Sequence, residues 1–142
     1  MDLKESDILR ACMELLALHP IVHRAWRVNS GAISAAYRDK AGDVHKRYVR
    51  FNGVPGHSDI AGVLCGGKAL FIEVKKPGGK LTVRQKGFLD DMRQSGALAF
   101  SASSTEEIQL RLDEYQHRKA VIIKAAKVLA SLAVRPNVAS LP

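Results

Sequence analysis

The sequence predicts an α/β domain with a central mixed β-sheet flanked by helices, and three observations carry that prediction. Segments of helical periodicity alternate with short apolar runs in the order helix, strands, helix, strand, helix. Two of the apolar runs lie on either side of Gly66-Gly67 and read as a hairpin. A third follows the second helix, so its return to the sheet requires a crossover and a parallel neighbour. At 142 residues, 46% of them hydrophobic and 25% charged, the chain is long enough for one core and globular in composition.

Residues 5 to 18 (ESDILRACMELLAL) place Ile8, Leu9, Cys12 and Leu16 on one helical stripe, and His19-Pro20 ends it. Glu5 lies on that stripe, whereas Asp7 and Glu14 face solvent. Glu5 is therefore either a favourable charge in the first turn or a side chain aimed at a site. Ile21 to Asn29 reads as a strand with Val22, Arg24, Trp26 and Val28 on one face, closed by a turn at Asn29-Ser30-Gly31. Residues 32 to 55 form either a hairpin around Asp39–Asp43 or an irregular excursion bearing basic and aromatic groups.

From Gly56 to Lys76 come the two central strands, Asp59 opening the first and Glu73-Val74-Lys75 closing the second. Pro77-Gly78-Gly79 breaks the second, and Leu81 to Gln94 reads as a helix with Thr82 as N-cap. Gln85 completes a capping box with Thr82, yet it also heads the apolar stripe Phe88, Leu89, Met92. Gly96 ends this helix and ALAFSAS follows as a strand. Ser104 and Glu107 then cap a helix of about twelve residues, TEEIQLRLDEYQ. The tail from His117 has no acidic residue. Its KAVIIKAAKVLASL segment reads as a separate basic amphipathic helix ended near Pro136, expected to dock on the domain, to dimerise or to lie along DNA. The expected organisation is a domain over residues 1–116 and a tail over 117–142.

Twenty-two Lys and Arg against fourteen Asp and Glu leave a net charge of +8, an attraction for polyanions. Seven basic residues lie between Arg24 and Arg50 (Arg24, Arg27, Arg38, Lys40, Lys46, Arg47, Arg50), with Trp26, Tyr37 and Tyr48 among them. Six more lie between Lys75 and Arg93. The two stretches flank the central hairpin, the placement expected of a surface that tracks phosphates. No apolar run approaches the ~20 residues of a membrane span, and the first residues lack a signal-peptide layout, so the expected location is cytoplasmic. Cys12 and Cys65 lack metal-ligand spacing and are expected to be buried and reduced.

An ionised group inside an apolar strand costs several kcal/mol unless it is paired or bound to a cation. Asp59, Glu73 and Lys75 together meet that condition if they converge, and Asp followed by Glu-x-Lys on a hairpin is what a metal-dependent nuclease needs. Glu73 and Lys75 share one strand face while Ile72 and Val74 point to the other. Asp59, Glu73, the Val74 carbonyl and, through water, Glu5 offer the oxygen ligands that Mg²⁺ takes. Parity sets the test. A two-residue turn at Gly66-Gly67 would pair Asp59 with Val74, on the wrong face, whereas an odd loop pairs it with Glu73 or Lys75. An odd loop or a bulge is therefore expected.

Glu5 on the first helix, Arg27-Val28-Asn29-Ser30-Gly31, Gly56-His57-Ser58-Asp59-Ile60, Phe71-Ile72-Glu73-Val74-Lys75 and Gln85, in that order, resemble the VRR-NUC domain. This is the virus-type replication and repair nuclease branch of the PD-(D/E)xK superfamily. The resemblance runs over roughly residues 5 to 112 and departs from the superfamily pattern at Ser58-Asp59, which stands for Pro-Asp. It implies a restriction-endonuclease-like core, a Mg²⁺ or Mn²⁺ site at Asp59 and Glu73, Lys75 as catalytic lysine, and Glu5 and Gln85 in support. Members of this size resemble phage or bacterial DNA repair proteins that act as homodimers on branched DNA such as Holliday junctions. The DNA contacts expected here are Arg27, Asn29, Ser30, Arg50, His57, Lys76, Lys80, Arg84 and Lys86. A nuclease on linear ends, flaps or RNA, or a catalytically silent nucleic-acid-binding module, are the alternatives left open.

Overall fold

The computed structural model describes residues 4–29, 31–50 and 53–133. It divides into two compact units, Met1–Ile108 and Gln109–Pro142. In the first unit the apolar stripe of residues 5–18 folds as α1 (Glu5–Leu18), with Ile8, Leu9, Cys12 and Leu16 buried. Burial pushes the Cys12 thiol up to about 11, so it packs as a small apolar group. β1 (Val22–Arg27) follows, then β2 (Ala32–Arg38) and β3 (Val44–Arg50), then β4 (Ile60–Leu64) and β5 (Ala69–Val74). The unit continues with α2 (Val83–Gln94) and β6 (Leu98–Ala102), and α3 (Thr105–Ala133) begins in it.

The main sheet has the order β1-β4-β5-β6, with β1, β4 and β5 antiparallel and β6 parallel to β5. That is the mixed sheet the sequence implies, flanked by helices: α1 packs against β1 and β5, α2 against β5 and β6. Ile60, Leu70, Ile72 and Val74 are fully buried on one face of the central pair. The other face carries Phe71, against which Phe88 of α2 stands edge-on at 5.4 Å. β2 and β3 form a separate two-stranded ribbon, which resolves residues 32–50 in favour of the hairpin.

Three expectations are corrected. β1 carries a bulge between Val22 and Arg24, so Val22 lies opposite Leu64 while Arg24 and Trp26 lie opposite Val63 and Ala61. One extra residue reverses the alternation, and Val22 leaves the face of Arg24 and Trp26. The bulged backbone closes on Gly62, where a Cβ would lie 2.7 Å from the Arg24 carbonyl oxygen. Cys65 is exposed because it sits in the turn and not in β4. α3 is one uninterrupted helix of 29 residues in place of two, since no Gly or Pro interrupts residues 105–133. The expected stop near Pro136 lies outside the described residues. No helix among the described residues is long and apolar enough to cross a membrane.

Candidate active site

The hairpin between β4 and β5 closes through the three residues Cys65–Gly67, with the Leu64 N–H donating to the Lys68 carbonyl at 2.8 Å. Gly66 and Gly67 take φ of 100° and 88°, the left-handed region such a loop demands. Ile60 consequently pairs with Ile72 and Ala61 with Phe71. Extending the ladder by one step puts Asp59 opposite Glu73, in a pair of the closer, non-hydrogen-bonded kind. The odd loop expected from parity is present, and both carboxylates face one way.

Asp59 is anchored on three sides. The Val28 N–H donates to its carbonyl at 2.7 Å, extending the β1–β4 ladder. Its Oδ2 accepts from the Val74 N–H at 2.9 Å. Before it, the fully buried Ser58 donates its hydroxyl to the Ile60 carbonyl at 2.9 Å, fixing the chain where it enters β4. A proline at position 58 would supply no such donor.

Glu73 is 1% exposed. Its Oε1 accepts from Lys75 Nζ at 2.8 Å and from Gln85 Nε2, while its buried Oε2 has no hydrogen-bond partner among the described residues. Burial pushes this carboxyl up to about 7, against the pull of the Lys75 hydrogen bond and with a further push from the Asp59 charge. For Lys75, burial acts to lower the ammonium, but the hydrogen bond and charge of Glu73, with Glu5 and Asp59 behind, outweigh it and hold the group above its ordinary value. Lys75 is thus a cation at neutral pH.

Gln85 performs both tasks that its position suggests. Its Oε1 accepts from the Thr82 N–H at 2.9 Å and its N–H donates to Thr82 Oγ1 at 3.2 Å, a complete capping box. Its Nε2 remains to hold Glu73. One amide therefore ties the start of α2 to the buried carboxylate. Gly56 sets how closely the loop before Asp59 meets that helix: φ is 77°, and a Cβ would collide with the Arg84 carbonyl and lie 2.9 Å from the Gln85 nitrogen. His57, half-buried, leans on Phe88 with centroids 4.6 Å apart and meets Phe71 edge-on at 5.8 Å. This residue, expected among the DNA contacts, serves as an aromatic wedge between β5 and α2.

Glu5 is half-buried at the start of α1 and contributes through its charge at Lys75. Among the expected DNA contacts, Arg27, Asn29, Lys76, Lys80, Arg84 and Lys86 are exposed. Ser30 and the Arg50 side chain lie outside what is described. Sequence reasoning gave Gly56 and Ser58 a place in a motif but no packing role, and it missed the aromatic wedge. Their signal was the run Gly56-His57-Ser58-Asp59 itself, in which each residue before the acid has a separate packing duty.

The donor set suits a hard divalent cation. Two carboxylates face each other, and one of them keeps a buried oxygen with no hydrogen bond, an arrangement that is costly without a positive charge. No group of three or more His, Cys, Asp or Glu that could hold a metal occurs among the described residues. Remaining ligands would have to be the Val74 carbonyl and water, which fits an ion that retains several waters.

A family model described as the VRR-NUC domain matches residues 3–106. No curated protein and no solved structure gives a significant match to the chain.

Proposed function

The chain belongs to the VRR-NUC domain family, and on that premise, which makes it a nuclease of the PD-(D/E)xK type with a restriction-endonuclease-like fold, we propose a metal-dependent DNA endonuclease that cuts branched DNA as a homodimer. The observation that carries the reading is Glu73, buried opposite Asp59 with one oxygen held by Lys75 and Gln85 and the other unpartnered.

Asp59, Glu73, the Val74 carbonyl and, through water, Glu5 would hold Mg²⁺ or Mn²⁺, which when bound polarises the scissile phosphate and lowers the pKa of a bound water. Gln85 keeps Glu73 in one orientation, so the carboxylate needs no reorganisation during turnover. The Lys75 ammonium orients the attacking water or donates to the phosphate oxygen on which charge develops. The Val74 N–H fixes Asp59, and the wedge of His57, Phe71 and Phe88 keeps that side of the site dry. Arg27, Asn29, Lys76, Lys80, Arg84 and Lys86 supply exposed groups for the phosphate backbone.

Branched DNA and the homodimer go together, because a four-way junction has two strands to cut and each chain offers one site. Support for self-association comes from the second unit, where α3 exposes Ile122 (67%), Leu129 (67%) and Leu132 (53%). Incubating the protein with junction, flap, linear duplex and RNA substrates, with and without Mg²⁺, is the test. Cleavage that requires Mg²⁺, favours the junction and disappears in Asp59→Ala and Lys75→Ala while DNA binding persists is the expected result. Cleavage unchanged by either substitution overturns the site, and binding without cleavage under any condition makes the chain a silent binding module.

A further inference from the structure

The β2–β3 ribbon is an insertion whose two roots meet at Asp59. β1 ends at Arg27, and the next residue, Val28, is hydrogen-bonded to the Asp59 carbonyl. The chain leaves through β2, returns through β3 and re-enters by way of Gly56–Ser58, immediately before Asp59. The ribbon pairs seven residues on each strand and is no part of the main sheet. Every one of its described side chains is exposed. An isolated hairpin is marginally stable in water, and none of its described residues is covered by the domain.

Its two faces differ. On one, register places Tyr48 opposite Ser34, Lys46 opposite Ala36 and Arg38 opposite Val44. Among its described side chains this face has two cations, no carboxylate, a tyrosine that is 77% exposed, and the small Ser34 and Ala36, which leave room around Tyr48 and Lys46. The other face is occupied with itself: Tyr37 stacks on His45 at 5.5 Å, and His45 Nε2 lies 2.8 Å from Asp39 Oδ2. The remaining Asp39 oxygen accepts from the N–H groups of Ala41 and Asp43 at the turn. Positive charge with an aromatic ring, unopposed by acid, matches a nucleic-acid backbone, and a two-stranded ribbon is a shape that the major groove of a duplex admits.

We propose that the Arg38–Lys46–Tyr48 face of the β2–β3 ribbon is a duplex-holding arm, which grips the DNA flanking the scissile phosphate. Arg38 and Lys46 bind backbone phosphates and Tyr48 packs against a sugar or base. The inference rests on the nuclease reading and adds the element that seats its substrate. Equilibrium binding of a labelled DNA duplex and a labelled four-way junction to the full chain, without divalent cation and over a series of salt concentrations, tests it. Arg38→Ala/Lys46→Ala is expected to weaken binding by about tenfold or more and to flatten the slope of log K against log salt by about two, one for each lost phosphate contact. Tyr48→Ala is expected to weaken binding with the slope unchanged. Arg47→Ala, on the opposite face and equal in charge to one of those losses, is expected to have the smaller effect. If the wild-type chain binds and Arg38→Ala/Lys46→Ala is no weaker than Arg47→Ala, the arm is overturned while the nuclease reading stands. If the wild-type chain binds no DNA, both fall.

Discussion

A carboxyl group buried opposite another, with one oxygen unpartnered, is a source of pH dependence. The ordinary value for Glu73 is 4.5 and burial raises it to about 7 in the folded chain. A raised carboxyl means that the folded state keeps a proton the unfolded state has already lost, so stability falls as pH rises between these two values. Without divalent cation, Tm is therefore expected to fall from about pH 5 to about pH 8, and Glu73→Gln, which has no proton to lose, to flatten that fall. Thermal scans across pH check both. Cation binding must displace the same proton, so Mg²⁺ is expected to raise Tm more above pH 7 than below it. A second expectation separates the two ends of Gln85. Thr82→Ala removes the hydroxyl cap, costs about 1 kcal/mol and leaves Nε2 on Glu73, whereas Gln85→Ala also frees Glu73 and cuts turnover far more than stability. Stability by denaturant and kcat, measured on both variants, tell them apart. From sequence, capping box and site looked like rival explanations of Gln85, because residue spacing does not show that the oxygen and the nitrogen of one amide can serve different partners.

Between elements, Gly56 controls how the loop carrying Asp59 meets the start of α2. Gly56 and Gly42 share the left-handed conformation, with φ of 77° and 92°, but a Cβ at Gly42 meets nothing within 4 Å while one at Gly56 strikes the Arg84 carbonyl. Gly42→Ala is expected to cost about 1 kcal/mol of backbone strain alone, and Gly56→Ala a few kcal/mol, with loss of cleavage as Gln85 is displaced from Glu73. Chemical denaturation and cleavage assays on the pair isolate the packing contribution. Much at this scale was legible in the sequence. Parity around Gly66-Gly67 gave an odd loop and one shared face for Asp59 and Glu73, leaving two registers open, and helical period gave α1 and α2 with the Thr82 cap of α2, because both are rules about a single segment and its nearest neighbour. The β1 bulge was not legible: alternation of Val22, Arg24 and Trp26 reads equally well as a straight strand, and the insertion exists only relative to Leu64 and Val63 of the partner. The length of α3 was missed for another reason. The end of acidic residues at His117 marks a change of charge, which alters what a helix can touch and not whether it continues.

At the scale of the molecule, the described residues of one chain offer one pair of facing carboxylates, and the proposed symmetrical cutting of a junction needs two. In the second unit, α3 leaves Val121, Ile122, Ile123, Val128, Leu129 and Leu132 exposed. At about 100° per residue, Val121, Ile122, Val128, Leu129 and Leu132 fall on one broad side, with Lys124 at its edge and Lys127 opposite. Contiguous apolar surface of this kind on an otherwise basic chain is what an isologous helix interface requires, since the lysines remain in water when two copies meet. If the chain is the proposed homodimer, Ile122→Lys/Leu129→Lys in the full chain is expected to convert it to a monomer by sedimentation, with the helical content retained by circular dichroism. Its Asp59, Glu73 and Lys75 are untouched, so nicking should persist. What should be lost is coupling between the two cuts: on a supercoiled plasmid bearing a cruciform, the wild-type chain is expected to give linear product and the variant to accumulate nicked circles. A variant that stays dimeric removes α3 as the interface. A variant that becomes monomeric yet still gives linear product within one binding event removes the need for two chains.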